Sequence, residues 1–370
     1  MAIIATRGQL GSFSSWREAF SGERKDRRYY EIVNDTLNEP VAEFLYMVLP
    51  GGAIQPLFVI DQDLLAGSGA AMLSIARAVR RVWPRFMKMR TLMVGCAAGE
   101  GHLADESIAE SLATLLPEIA KRSRARLIVM KEFPARYRPA LEPLRRHGFT
   151  RVPSMPMTRL NIAYDDFDDF LARKLSKPTR KNLRRKLRTA DSAQPRIELQ
   201  VVDDITPYLD EIYPLYLAVY ERSPLHFEKL TKEFLAALGA RMPDKARFFI
   251  WRQAGRAIAF SVCLIHGDTI YDEYLGLDYS VAFDLHLYFY TLRDIINWAI
   301  EHRLQWYVSS ALNYEPKLHL RCELVPLDLY VAHTSPLINA VMKRILPLLE
   351  PTRNDPVLRR FPNFREVWSE

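Results

Sequence analysis

The apolar runs of this 370-residue chain follow one order, and that order occurs twice. In the first half, EFLYMVLPGGAIQPLFVID (43–61) reads as two strands hinged on Pro50-Gly51-Gly52, because Pro and Gly supply the turn between β-rich runs. A helical pattern from Ala70 to about Arg81 follows, then RTLMVG as a short buried strand and a glycine-bearing loop. Next come a helix from about Asp105 to Ser123 and the buried strand ARLIVMKEF. RPALEPLRRHGF is a short helix closed by Gly148, and TRVPSMPMTRLNI a final strand. The second half opens with helices at 205–221 and 227–240, then a hairpin turning near Gln253–Gly255 and the strand TIYDEYLGLDY. The long helix LHLYFYTLRDIINWAIEHR and the strands QWYVSS and VPLDLYVA complete it. This duplication predicts a mixed α/β (α+β) chain of two domains, 1–163 and 164–335, each a mixed sheet flanked by helices, with a helical tail over 336–370. The length suits two cores of ordinary size better than one.

At the join between the halves the charge is sorted. YDDFDDF (Tyr164–Phe170) carries four aspartates, and KLSKPTRKNLRRKLR (174–188) carries eight cations in fifteen positions with no acid. Ser176 as N-cap and Pro178 in the first turn predict a helix over 176–190, docked by Leu183 and Leu187. Arg180, Arg184 and Arg188 then form one cationic row, with Lys177, Lys181 and Arg185 beside it. Two such rows suit a polyphosphate or a nucleic-acid backbone; the competing reading is a solvated face neutralised by the nearby aspartates. No aromatic residue interleaves the charges, so base readout is not suggested. The net charge of +7 is consistent with an anionic partner.

Other classes of chemistry are disfavoured. Cys96, Cys263 and Cys322 lie far apart without CxxC spacing, which speaks against a zinc or disulfide framework and for a reducing cytoplasm. HExxH, GxSxG and Walker patterns are missing, so no metal site is expected. No apolar run reaches eighteen residues, and the N-terminus reads as a poor secretory signal.

Two segments carry candidate chemistry. In TIYDEYLGLDY, alternation sets Tyr271 and Glu273 on one face and Asp272 and Tyr274 on the other. Acids within an apolar strand are costly unless paired or used, so Asp272 or Glu273 is either a general base or the partner of the basic helix. NYEPKLHL offers Lys317 and Tyr314, either a surface loop or a site. Arg222 and His226 in ERSPLHF and Tyr288 in YFY are further candidates for lining a cleft, whereas His266 and His286 carry a weaker signal.

SKPTRKNLRR after a strand ending TRLNI, the YDEYLGLDY strand, the LYFYTLRDIINWAIEHRL helix and YEPKLHLRCELVPLDLYV together resemble the tandem GNAT-fold proteins described as BioF2-like acyltransferases. That group is related to the Fem-type transferases, which use aminoacyl-tRNA to build peptidoglycan cross-bridges. The resemblance implies an acyl- or aminoacyltransferase that acts on an amine of a small molecule or peptide, with tRNA, a carrier protein or acyl-CoA as donor. It puts Lys317 beside the reacting carbonyl, where its ammonium would stabilise an oxyanion, with Tyr314 as a donor next to it. The chain departs from the GNAT pattern where a glycine loop usually cradles pyrophosphate. SVAFDLHLY in the second half has no glycine, and GCAAGEGHLADE in the first has Gly95, Gly99 and Gly101 but also Glu100, Asp105 and Glu106. The expected donor is therefore a large anionic carrier rather than free acetyl-CoA, with no firm cofactor. The alternative is a non-enzymatic nucleic-acid-binding protein on a degenerate transferase fold.

Overall fold

A computed structural model describes residues 3–37, 40–63, 74, 77–81, 88–223, 227–349 and 351–369. The first six strands are β1 (Ile3–Ala5), β2 (Val41–Val48), β3 (Ile54–Asp63), β4 (Lys88–Val94), β5 (Leu127–Pro134) and β6 (Thr150–Pro153). The remaining eight are β7 (Met157–Asn161), β8 (Ile197–Val202), β9 (Ala246–Gln253), β10 (Arg256–His266), β11 (Thr269–Leu277), β12 (Trp306–Ser309), β13 (Glu323–Val325) and β14 (Leu327–His333). They form two seven-stranded sheets, ordered β1-β2-β3-β4-β5-β14-β6 and β13-β7-β12-β11-β10-β9-β8. Each sheet is antiparallel apart from one parallel pair, β4 with β5 and β11 with β12. Each parallel pair is bridged by a helix, Ala109–Arg122 or Leu287–Glu301. The duplicated order expected from the sequence is therefore present in space.

The sheets do not follow the division at 163/164. β7 precedes it but pairs with β12 and β13, and β14 returns from the second half to lie between β5 and β6. TRVPSMPMTRLNI, expected as one strand, is two. Pro153 and Pro156 lack the N–H that a ladder needs, so pairing stops and the chain changes sheets across 154–156. The expected helix over 70–81 falls largely outside the described residues; 77–80 are helical. The hairpins turn where Gly and Pro predicted: Gly51 and Gly52 have φ of +95° and +90°, and Ala254 and Gly255 have +51° and +78°.

One apolar core runs between the sheets. Phe260, Val262 and Leu264 of β10 meet Tyr216, Phe234 and Leu235 of the helices Leu209–Arg222 and Lys232–Arg241, and these meet Tyr29, Ile32 and Phe58 of the first half. The outer face of the first sheet is covered by the helix Ala109–Arg122. The outer face of the second is covered by the helices Phe167–Lys174, Lys177–Asp191 and Leu287–Glu301. Leu292, Ile295, Ile296, Ala299 and Ile300 recur at three- and four-residue spacing, which is why that last helix buries one side against the sheet.

Candidate active site

β11 sits in the middle of its sheet, yet Tyr271, Asp272, Glu273, Tyr274 and Leu275 all keep partial access to solvent. Along one side of this stretch the strands part. β11 and β12 are paired from Thr269/Trp306 to Asp272/Ser309, the Ser310 N–H donates to the Asp272 carbonyl, and beyond that point the two separate. The gap is bordered by 310–313 and by the start of the helix Leu287–Glu301.

Asp272 stands at the fork. Its carboxylate accepts from Ser261 Oγ at 2.5 Å and from Tyr307 Oη at 2.7 Å. Burial pushes its pKa up, against the lowering effect of these two hydrogen bonds and of the Lys317 charge. Lys317, only 2 % exposed, donates to the carbonyls of Ser310 at 2.5 Å and Leu312 at 2.8 Å. Burial lowers its pKa to about 8, opposed by the Asp272 charge. The loop it holds is strained, since Leu312 and Asn313 take φ of +73° and +48° without being glycine. Tyr288 reaches Asn313 across the gap, and burial raises its pKa. Tyr314 is committed elsewhere, its hydroxyl donating to the Pro156 carbonyl at 2.8 Å. The structure thus brings Asp272, Lys317 and Tyr288 together and adds Ser261 and Tyr307. Those two were missed, although a serine inside the apolar run AFSVCLI was the signal for the first.

Glu273 faces the other way. The β10–β11 register skips from Cys263/Asp272 to Val262/Tyr274, so Glu273 is the extra residue of a bulge. The bulge also corrects the expected alternation: Tyr274 packs with Tyr271 on the core side, and its hydroxyl donates to Glu228 at 3.0 Å. Glu273 lies 3.0 Å from Arg24 of the first half. Arg24 and Lys25 in turn hold Glu100 at 2.5 and 2.7 Å, and the Arg24 guanidinium covers the Tyr271 ring at 4.0 Å. The carboxylates raise the pKa of Arg24 despite its burial, and the two cations hold Glu100 well below the usual carboxylate range. The salt bridge expected for this strand is real, but its partner is Arg24, not the basic helix. Arg24 and Lys25 sit in GERKDRRYY, a run that reads as a solvated surface, so local sequence gave no sign of their burial.

At neither loop is the backbone wholly free to cradle a pyrophosphate. In the first half Gly95 and Gly101 donate to the carbonyls of Pro56 and Glu132, and a Cβ on Gly99 would stand 2.0 Å from Lys25 Nζ. These glycines serve close internal approach. In the second half Val281, Ala282, Leu285, His286 and Leu287 donate to carbonyls within 278–283. Arg222 lies over the Tyr279 ring at 4.1 Å beside this loop, and His226 is outside the described residues.

The basic helix is Lys177–Asp191, capped by Ser176 as expected, with Leu183, Leu187 and Ala190 buried. Its cations differ in availability, and the division cuts across the two expected rows. Arg180 donates to the Ala172 carbonyl and Arg184 pairs with Asp168 at 2.7 Å, so these two turn toward the acidic segment. Lys181, Arg185 and Arg188 instead lie with Asn182, Thr189 and Ser192 along a shallow groove open to solvent and formed by this one helix alone. A second recess of about 240 Å³ continues from it past Lys186, Phe289, His319 and Leu320, with Lys186 Nζ 3.8 Å from the Phe289 ring. His319 is on the same short helix as Lys317.

The FemAB-like family, described as peptidoglycan biosynthesis/recognition, matches residues 97–318. Among solved structures, L-PGS from Bacillus licheniformis is similar at 11 % identity and TM-score 0.55, over 94 % of this chain and 98 % of that one. FemX is similar at 12 % identity and TM-score 0.54, over 93 % and 100 %. A tandem GNAT protein from the clavulanic acid biosynthesis pathway is similar at 10 % identity and TM-score 0.51, over 91 % and 99 %. No curated protein matches the sequence. With its two GNAT-like sheets and a family match over more than half its length, the chain is a member of the FemAB-like family.

Proposed function

We propose that this protein transfers an acyl or aminoacyl group from a large anionic carrier to an amine, with the chemistry in the fork between β11 and β12. The observation that carries the reading is the geometry of that fork, where Asp272 is held by Ser261 and Tyr307 and Lys317 staples the carbonyls of Ser310 and Leu312, with burial pushing the pKa of the first up and of the second down. Opposite shifts of neighbouring groups in a crevice are the usual mark of acid–base work.

The amine nitrogen attacks the ester or thioester carbonyl carbon, and its proton passes to Asp272. The oxyanion is met by the amides of 311–313, beyond the Ser310 N–H that is bonded to Asp272, with the Lys317 charge behind them, in a site where one such donor is worth roughly 3 kcal/mol. The bond to the carrier oxygen or sulfur then breaks, and the leaving atom takes the proton from Asp272. Lys317 acts through the loop it staples, so it positions the oxyanion donors. Glu273 has no part in the proton transfer because Arg24 holds it. Positioning of the two substrates supplies much of the rate.

On the donor side, Lys181, Arg185 and Arg188 follow an anionic backbone along their groove. Acyl-CoA is the weaker candidate, since Gly95 and Gly101 in the first loop, and five amides over 281–287 in the second, are already bonded to the protein's own carbonyls. The family description makes an amine of a peptidoglycan precursor the acceptor to try first.

The test is transfer of label to such an amine from aminoacyl-tRNA, acyl carrier protein thioester and acetyl-CoA in parallel. Transfer from either of the first two supports the reading. Acetyl-CoA as the sole donor overturns the carrier assignment. RNA binding without transfer from any donor makes the protein a binding module instead.

A further inference from the structure

We infer that the helix Pro336–Leu349 docks the protein on an anionic membrane surface. Its sequence, PLINAVMKRILPLL, contains Lys343 and Arg344 and no acidic residue. One side is spoken for. The Asn339 side chain accepts from the His333 N–H at 2.8 Å and donates to the Gly148 carbonyl at 2.9 Å, and Met342 and Leu346 pack on the core. The other side is apolar and open: Leu337, Ile338, Val341, Ile345 and Leu348 are 83, 47, 56, 42 and 66 % exposed. On a helix of 3.6 residues per turn these five fall within an arc of about 100°, with Arg344 at its edge. A continuous stripe of this kind on a water-soluble surface marks a contact.

The charge around the stripe identifies the contact. Thr334, just before the helix, donates through its N–H and hydroxyl to the Arg126 carbonyl at 2.9 and 3.2 Å. Arg126 ends the run KRSRAR, in which Lys121, Arg122, Arg124 and Arg126 are all exposed. None of these four has an ion pair among the described residues. A second copy on the same face would oppose one basic cluster with another. An anionic lipid surface opposes it with the opposite sign while receiving the apolar stripe, which is how interfacial helices bind. The helix lies on the surface and does not cross it: 14 residues span about 21 Å against a hydrocarbon core of about 30 Å. No helix among the described residues is long and apolar enough to cross.

Flotation of the full chain with vesicles tests this, using phosphatidylcholine alone and phosphatidylcholine mixed with phosphatidylglycerol. The protein should float with the mixed vesicles at low salt and stay behind with the neutral ones. Arg122→Glu, Arg124→Glu and Arg126→Glu together should weaken partitioning by about 100-fold. Leu337→Ser, Val341→Ser and Ile345→Ser should weaken it by roughly tenfold or more, with an unchanged thermal midpoint. Should the charge reversals disturb folding, Gln at the same three positions should move partitioning in the same direction. Equal binding to neutral vesicles, or none to either kind, overturns the inference. So does a dimer in light scattering that the serine variant converts to monomer.

Discussion

The Glu273 carboxylate, on the central strand of the second sheet, lies 3.0 Å from the guanidinium of Arg24 in the first half, both nearly closed off from water. An ion pair in that setting adds little net stability, yet removing one partner leaves the other charge buried and alone. Arg24→Met should therefore cost about 3–5 kcal/mol in urea denaturation. Arg24→Met combined with Glu273→Gln should cost less than the two single changes added together. Strict additivity would mean that the contact is incidental.

Asp272→Asn removes the proposed base and also gives Tyr307 or Ser261 an N–H to face. Transfer should fall by at least about 100-fold, with stability lower by roughly 1–3 kcal/mol. The wild-type rate should decline with acid through a pKa above the ordinary aspartate value of 3.8, because burial raises it. The sign for stability is the reverse: a carboxyl raised by burial is protonated more readily in the folded chain. Its contribution is therefore present at low pH and is lost as pH rises through the folded value. An acid limb at the ordinary pKa would remove Asp272 from the mechanism.

Lys317→Met should lower turnover by about 100-fold with carrier affinity little changed, because its role is confined to the oxyanion. Its pKa of about 8 against 10.5 for the free side chain means the folded chain gives up this proton first. Wild-type stability should then rise relative to Lys317→Met between pH 8 and 10.5, by roughly 3 kcal/mol over the whole window. A flat difference across that range would show an ordinary, solvated lysine.

Replacing Lys181, Arg185 and Arg188 by Ala should weaken carrier binding and flatten its dependence on log salt by about 2–3. The thermal midpoint should hardly move, since exposed charges matter little for stability. Arg184→Ala, which loses only the surface pair with Asp168, should leave both nearly as they were. A larger loss for Arg184→Ala than for the groove triple would return the binding role to the row of arginines.

The sequence disclosed whatever is local. Ser176 and Pro178 announced the start of the basic helix, Gly51–Gly52 and Ala254–Gly255 the hairpins, and the long helix its apolar face. Asp272 was legible as a costly acid in an apolar strand, but its partners Ser261 and Tyr307 come from other strands and carry no spacing signal. The bulge at Glu273 turned Tyr274 around because a single extra residue resets a period of two. Arg24 and Lys25 raised no expectation, since nothing near them in the chain shows that they will be buried against Glu100, some seventy-five residues on. The exchange of β7 and β14 between sheets lay furthest out of reach, because strand order is decided by contacts between distant parts of the chain.

That exchange bears on how the chain is made. β14 belongs between β5 and β6, so the first sheet lacks its last-but-one strand while about 180 further residues are synthesised after β6. At common translation speeds this is roughly 10–40 s during which the facing edges of β5 and β6 have no partner. Unpaired edges of this kind invite association with other chains. The nascent N-terminal half is thus a natural client for chaperones, and a ribosome stalled before residue 333 would release an aggregation-prone product.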